Sequence, residues 1–224
     1  IRYHSGGQGS PSNSVTQLFV IFVVDSTLIE DEVIELLADV AGTRAEVAAV
    51  TERAMAGEID FAESLISRVA TLAGLPESVF DDVLGRVKVT AGAQELISAI
   101  HASGGKVGAV SGGFSQILTP LAQQLNLDYN RANELEVVDG QLTGRVIGQI
   151  IDRQAKADAL REWSAAAGFT IDQTVAVGDG ANDLDMMAVA ATSVAFNAKP
   201  IVKEFADVTV ERHDLRELIE VLGL

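Results

Sequence analysis

What most constrains this chain is a rhythm: short apolar runs, each followed by a stretch with helical periodicity. The runs are Leu18 to Val24, Lys106 to Val110, Thr174 to Val177, Thr192 to Phe196 and Val208 to Val210. Most lead into apolar positions spaced three and four apart, such as Ile117, Leu118, Leu121 and Leu125, or Leu160, Trp163 and Ala167. Apolar strands alternating with amphipathic helices describe an α/β fold, a parallel sheet with helices on both faces. Residues 31–86 interrupt the rhythm. They show helical patterns only, punctuated by Gly42, Gly57, Gly74 and Pro76, which predicts a helical insert after the first strand. Asp139-Gly140, between Glu134 to Val138 and Leu142 to Ile147, predicts a hairpin. The run HSGGQGSPSNS from His4 to Ser14 has no apolar face. The expected organisation is therefore linker or extraneous sequence at 1–14, a core formed by 15–30 and 87–224, and a small helical domain at 31–86.

Composition narrows the function. Thirty-two acidic against 16 basic residues leave a net charge of −16, so no broad basic surface exists to follow a nucleic-acid backbone. The absence of cysteine excludes thiolate metal sites and cysteine nucleophiles, and fits a cytoplasmic protein. Leu18 to Val24 falls far short of the roughly 18 apolar residues of a membrane span. Nor does it resemble a leader peptide, having only Arg2 before it and Asp25-Ser26-Thr27 after it.

In an open parallel sheet, ligands bind beyond the carboxyl ends of the strands. Three polar clusters fall there: Asp25-Ser26-Thr27, Ser111-Gly112-Gly113, and Gly178-Asp179-Gly180-Ala181-Asn182-Asp183. Asp25, Asp179 and Asp183 would bring like charges together, an arrangement a cation relieves, and oxygen-only donors suit Mg²⁺. Ser111 and its glycines are expected to offer a hydroxyl and free N–H groups at a helix N-terminus, and Lys156 a positive charge. Together these point to phosphoryl transfer, which proceeds by positioning and charge neutralisation. Taken singly, the first two clusters also read as a cap and a tight turn, and Lys156 as a solvated helix residue. The Gly178 to Asp183 segment is more distinctive, with two glycines bracketing one aspartate and a second aspartate opening a helix. It has Asp183 where a dinucleotide fingerprint needs glycine, and Gly105-Lys106 lacks the Ser or Thr of a P-loop. His4, His101 and His213 share no metal-binding spacing.

In order along the chain, DSTLI (25–29), VSGGF (110–114), Lys156 and VGDGANDLDM (177–186) resemble the four motifs of the haloacid dehalogenase superfamily. Within it the chain is similar to the phosphoserine phosphatases. ERAMAGEIDFAESLISRV (52–69), ANELEVVDGQLTG (132–144) and AFNAKP (195–200) extend the match from about Leu18 to Leu224. The resemblance implies a Rossmann-like core with a small helical cap, and Mg²⁺-dependent hydrolysis of L-phosphoserine, the last step of serine biosynthesis, through an aspartyl-phosphate. It further implies that Asp25 protonates the leaving serine oxygen and then activates water. Ser111 and Gly112 would contact the phosphoryl group with Lys156 and Asn182. Asp179, Asp183 and Asp25, the last through its main-chain carbonyl, would serve the metal. Arg68 would meet the substrate carboxylate and Glu32 its ammonium, with Met55 and Phe61 closing over the side chain.

One position departs from that pattern. Where the family's nucleophilic aspartate belongs, this chain has Val23, in Phe22-Val23-Val24-Asp25. Valine has no lone pair with which to attack phosphorus or ligate a metal, although it suits an apolar strand. Two readings follow: an enzyme disabled or nearly so by this residue, or a pseudoenzyme that binds phosphoserine or phosphate without turnover. A third is a related phosphatase or phosphotransferase acting on another small metabolite.

Overall fold

The computed structural model of the protein describes residues 17–224, so the expected linker at 1–14 lies outside the described residues. Strand β1 (Phe19–Val23) is followed by five helices: α1 (Val33–Ala41), α2 (Arg44–Met55), α3 (Phe61–Ala70), α4 (Val79–Arg86) and α5 (Ala93–Ala102). Then come β2 (Lys106–Phe114), α6 (Ser115–Leu125), β3 (Tyr129–Val138), β4 (Gln141–Ile147) and α7 (Arg153–Ala166). The chain finishes with β5 (Thr174–Gly178), α8 (Leu184–Val189), β6 (Thr192–Phe196), α9 (Pro200–Phe205), β7 (Val208–Val210) and α10 (Glu217–Val221).

The strands form one sheet in the order β4-β3-β2-β1-β5-β6-β7. Every neighbouring pair is parallel except β3 with β4. Successive side chains of a strand point to opposite faces, and β1, at the centre, is buried on both. Val20 and Phe22 join Leu96 and Ile97 of α5 and Leu118 and Leu121 of α6 in one apolar cluster. Phe19, Ile21 and Val23 join Leu160 and Trp163 of α7, Met186 and Met187 of α8 and Val202 of α9 in the other. The α/β expectation is met: a mostly parallel sheet with helices on both faces.

Residues 33–86 contain four helices. Val33, Leu37, Leu65, Val69, Leu72 and Val83 share the first apolar cluster with Phe22 and Leu28, so these helices pack against the core. Two backbone bonds fasten them to β4, from Gly74 N–H to the Leu142 carbonyl and from Leu142 N–H to the Leu75 carbonyl, both 2.8 Å. The predicted hairpin is present, and Asp139 (φ 51°) and Gly140 (φ 77°) take the paired positive φ values of a two-residue turn matched to strand twist. The structure departs from expectation in the reach of β3. It begins at Tyr129 and pairs parallel with β2 before turning into the hairpin. Its polar start is held by aromatic packing instead of an apolar run. Tyr129 stacks on Trp163 at 5.6 Å, and Arg131 lies 5.3 Å over the same indole while pairing with Glu162. Gly108 makes room for that indole, since a Cβ there would lie 2.8 Å from it.

Candidate active site

Beyond β1 the chain makes one wide turn, Val24 to Leu28, closed by Ile29 N–H donating to the Val24 carbonyl at 3.0 Å. Ser26 takes a positive φ of 60° inside it. The chain returning from α4 pins this turn. Buried Thr90 donates its hydroxyl to the Thr27 carbonyl at 2.6 Å, and Lys88 N–H donates to the Asp31 carboxylate at 2.7 Å. The Ser26 hydroxyl bonds Glu32 at 2.6 Å, tying the turn to the start of α1.

At β2 the structure corrects the expectation. Ser111, Gly112 and Gly113 are not a helix N-terminus, because the strand continues to Phe114 and α6 begins at Ser115. They form a bulge in the β2–β3 ladder, where Ser111 pairs with Ala132 and Phe114 with the very next residue, Asn133. The Ser111 hydroxyl accepts the Gly113 N–H at 2.8 Å. A Cβ at Gly112 would lie 2.9 Å from the ring tip of Phe61 of α3, so any larger residue there would displace that ring.

Beyond β5, Asp183 accepts three hydrogen bonds. Its Oδ1 accepts from Lys156 Nζ at 2.9 Å, and its Oδ2 accepts the N–H groups of Asp179 and Gly180 at 3.1 and 3.0 Å. The ion pair is buried, the two side chains being 9% and 4% exposed. Gly178 permits this fold-back, since a Cβ would lie 2.8 Å from that of Asp183. Thr27, fully buried, donates its hydroxyl to Asp179 Oδ1 at 3.0 Å, linking the turns after β1 and β5.

These segments enclose a cavity of about 590 Å³. Val23, Asp25, Ser111, Gly112, Lys156, Asp179, Asn182 and Asp183 line it from the sheet edge, and Glu32, Phe61 and Arg68 from the helical segment. The side chain of Met55 lies outside the described residues. Sequence reasoning named Thr27 only as part of a polar cluster and gave no role to Thr90 or Asn133. It also passed over Ser64, which lines the cavity one helical turn before Arg68 and accepts its Nε–H through the main-chain carbonyl at 3.2 Å. Lys199 is another, its N–H donating to the Asp179 carbonyl at 2.9 Å.

Crowded carboxylates set the electrostatics. Asp25 is raised well above the usual range, first by burial, then by Glu32 and Asp179, against the pull of the Val33 N–H and Lys156. Asp179 is pushed up to about 7 by burial and by Asp183, despite its bond from Thr27. Burial would strip Lys156 of its proton, but Asp183, Asp179 and Asp25 outweigh it and hold the ammonium above its ordinary value. Burial lowers Arg68, with Glu32, Asp25 and Glu35 opposing. Asp25 Oδ1 is buried with no hydrogen-bond partner. An unpaired buried oxygen and two carboxyls reluctant to ionise are what an oxygen-seeking cation would relieve. Among the described residues, however, no three of Asp, Glu, His or Cys converge as a ready metal cluster. Valine at 23 offers no donor, so the oxygen donors lining the cavity are those of Asp25, Asp179 and Asp183, the last already accepting from Lys156 and two N–H groups.

Comparison with known proteins agrees with this geometry. The profile of haloacid dehalogenase-like hydrolases matches residues 20–188. A phosphoserine phosphatase of Mycobacterium tuberculosis is 52% identical over 209 residues, covering 93% of this chain, which spans about half (51%) of that relative's length. A phosphoserine phosphatase of Streptococcus thermophilus is 48% identical over 203 residues, covering 91% of this chain and 94% of its own. A solved phosphoserine phosphatase, a phospho-aspartyl intermediate analogue, superposes with a TM-score of 0.86 at 40% identity, covering 92% of this chain and 99% of that one. Motif order, sheet topology, cavity lining and these matches converge: the chain belongs to the haloacid dehalogenase-like hydrolases and, within them, to the phosphoserine phosphatase family.

Proposed function

We propose that the cavity is a phosphomonoester site directed at L-phosphoserine, with hydrolysis to L-serine and phosphate severely impaired in this chain by Val23. The observation that carries the reading is the juxtaposition, in one cavity, of Ser111 and Lys156 with Arg68 and Glu32. The first pair would hold phosphoryl oxygens, and the second the carboxylate and ammonium of the amino acid. Asp25, whose burial favours its protonated form, would give its proton to the leaving serine oxygen. Phe61, seated on Gly112, would help exclude water. Mg²⁺, held by Asp179, Asp183 and the main-chain carbonyl of Asp25, would neutralise phosphoryl charge when bound. The reaction fits the end of serine biosynthesis in the cytoplasm, and no helix among the described residues is long and apolar enough to cross a membrane. Val23 favours a second reading, a phosphoserine- or phosphate-binding protein without turnover. Phosphate release from L-phosphoserine by this chain and by its Val23→Asp variant separates the two.

Arg68 tests the substrate. In the Val23→Asp background, Arg68→Ala is expected to lower kcat/KM for L-phosphoserine about 10- to 100-fold more than for p-nitrophenyl phosphate. A charge-assisted bond to the carboxylate contributes about 1.5–3 kcal/mol, and the aryl ester has no carboxylate to lose. Equal losses on both substrates would remove Arg68 from substrate selection.

The metal reading predicts a pattern of stability. Because the folded-state pKa of Asp179 lies near 7 against an ordinary 3.8, the folded chain binds that proton more tightly than the unfolded chain. Its contribution therefore falls as pH climbs from about 4 to about 7, and stays down above that. In EDTA the melting temperature should drop across this window, less so in Asp179→Asn and more steeply in Val23→Asp, which adds a carboxylate. Millimolar Mg²⁺ should raise the melting temperature of Val23→Asp above that of the parent. If Mg²⁺ raises both equally, residue 23 has no part in holding the metal.

A further inference from the structure

We propose that Asn133 is a positioning residue that sets the spacing between Ser111 and Lys156, and so governs affinity for the phosphoryl group without touching it. The proposal rests on the reading of those two residues as the phosphoryl-binding pair. Asn133 is 1% exposed and does not line the cavity. The bulge at Gly112-Gly113 lifts these residues out of the β2–β3 ladder, and Asn133 Nδ2 donates to the Gly112 carbonyl at 2.9 Å. On its other side, Asn133 Oδ1 accepts the N–H of Ile151 at 2.8 Å. Ile151 immediately precedes Asp152, which caps α7 by accepting the Ala155 N–H at 2.9 Å, and Lys156 follows on the first turn. One side-chain amide thus bridges the backbone beside the Ser111 hydroxyl to the backbone that launches the Lys156 helix.

The chemistry of the two backbone groups explains the residue type. One is an acceptor and the other a donor, and a short side chain meeting both needs a donor and an acceptor on a rigid plane, which asparagine supplies. The partners also fix the orientation of the amide, since a carbonyl requires the NH₂ side and an N–H the oxygen side. Lys156 is already committed to Asp183, so it cannot shift to follow a displaced Ser111 without breaking a buried ion pair. Displacements on the order of 1 Å at such a site can cost about 100-fold.

Titration calorimetry on the chain as it stands tests this, using inorganic phosphate and L-phosphoserine as separate probes. Asn133→Ala should weaken both by the same factor, about 10- to 100-fold, because the clamp acts at the phosphoryl end shared by both ligands. Asn133→Leu, which keeps the side chain's branching and number of heavy atoms and removes both bonds, carries the same expectation if the alanine variant does not fold. Ser193→Ala is the control. It removes a buried hydroxyl bonded to Asp207 at the start of β6, away from the ligand end, and should lower stability while leaving phosphate affinity close to that of the parent. The proposal is overturned if the Asn133 variants bind phosphate as the parent does, if phosphoserine loses far more than phosphate, or if Ser193→Ala weakens phosphate binding as much. Binding of neither ligand by the parent sinks the functional reading itself, and this proposal with it. That outcome is distinct from a parent that binds and variants that bind equally well.

Discussion

Val23→Asp is expected to raise phosphoserine hydrolysis by about 10⁴- to 10⁶-fold over the chain as it stands, a barrier change of roughly 5–8 kcal/mol. The expectation follows from what already surrounds residue 23. It ends β1, pairs with Val110, and lines the cavity with Asp25, Ser111 and Lys156. The residues proposed as proton donor, phosphoryl-binding pair and amino-acid-binding wall line the same cavity, and the part that the proposal finds missing is a nucleophile. A solved relative bears the name of a phospho-aspartyl intermediate analogue, so covalent capture by an aspartate belongs to that protein's chemistry. Phosphate release at saturating L-phosphoserine with Mg²⁺ measures the gain. A Val23→Asp protein that folds, binds Mg²⁺ and turns over no faster than the parent would show that residue 23 is not the nucleophile position.

The second large effect is structural. Asp183→Ala should destabilise the fold by about 3–5 kcal/mol, because it strands the Lys156 ammonium in a buried site and leaves the Asp179 and Gly180 N–H groups without their acceptor. Lys156→Met should cost less, since Asp183 keeps both backbone donors. The double variant should be more stable than Asp183→Ala alone, because no uncompensated charge remains inside. Urea unfolding of the three proteins at neutral pH gives these values. A cost below about 1 kcal/mol for Asp183→Ala would mean that the pair behaves as a solvated surface ion pair.

Elements carried by local pattern were legible in the chain itself. The runs at Thr192–Phe196 and Val208–Val210 became β6 and β7 with those bounds, and Asp139-Gly140 became the hairpin turn, because short apolar runs and positive-φ turn chemistry are written in neighbouring residues. The polar clusters after β1, β2 and β5 were legible as well, since the carboxyl edge of a parallel sheet is where ligands must bind. Tertiary structure decided the rest. The polar start of β3 is a strand because Trp163, more than 30 residues later, offers an aromatic surface to Tyr129 and Arg131. The Ser111-Gly112-Gly113 segment is a bulge because Asn133 stands across from it, a partner supplied by a neighbouring strand. Asp183 is a brace because folding delivers Lys156 to it across 27 positions of sequence. In each case local spacing chose the residue types, while their roles were assigned by hydrogen-bond and charge partners that only the folded chain brings within reach.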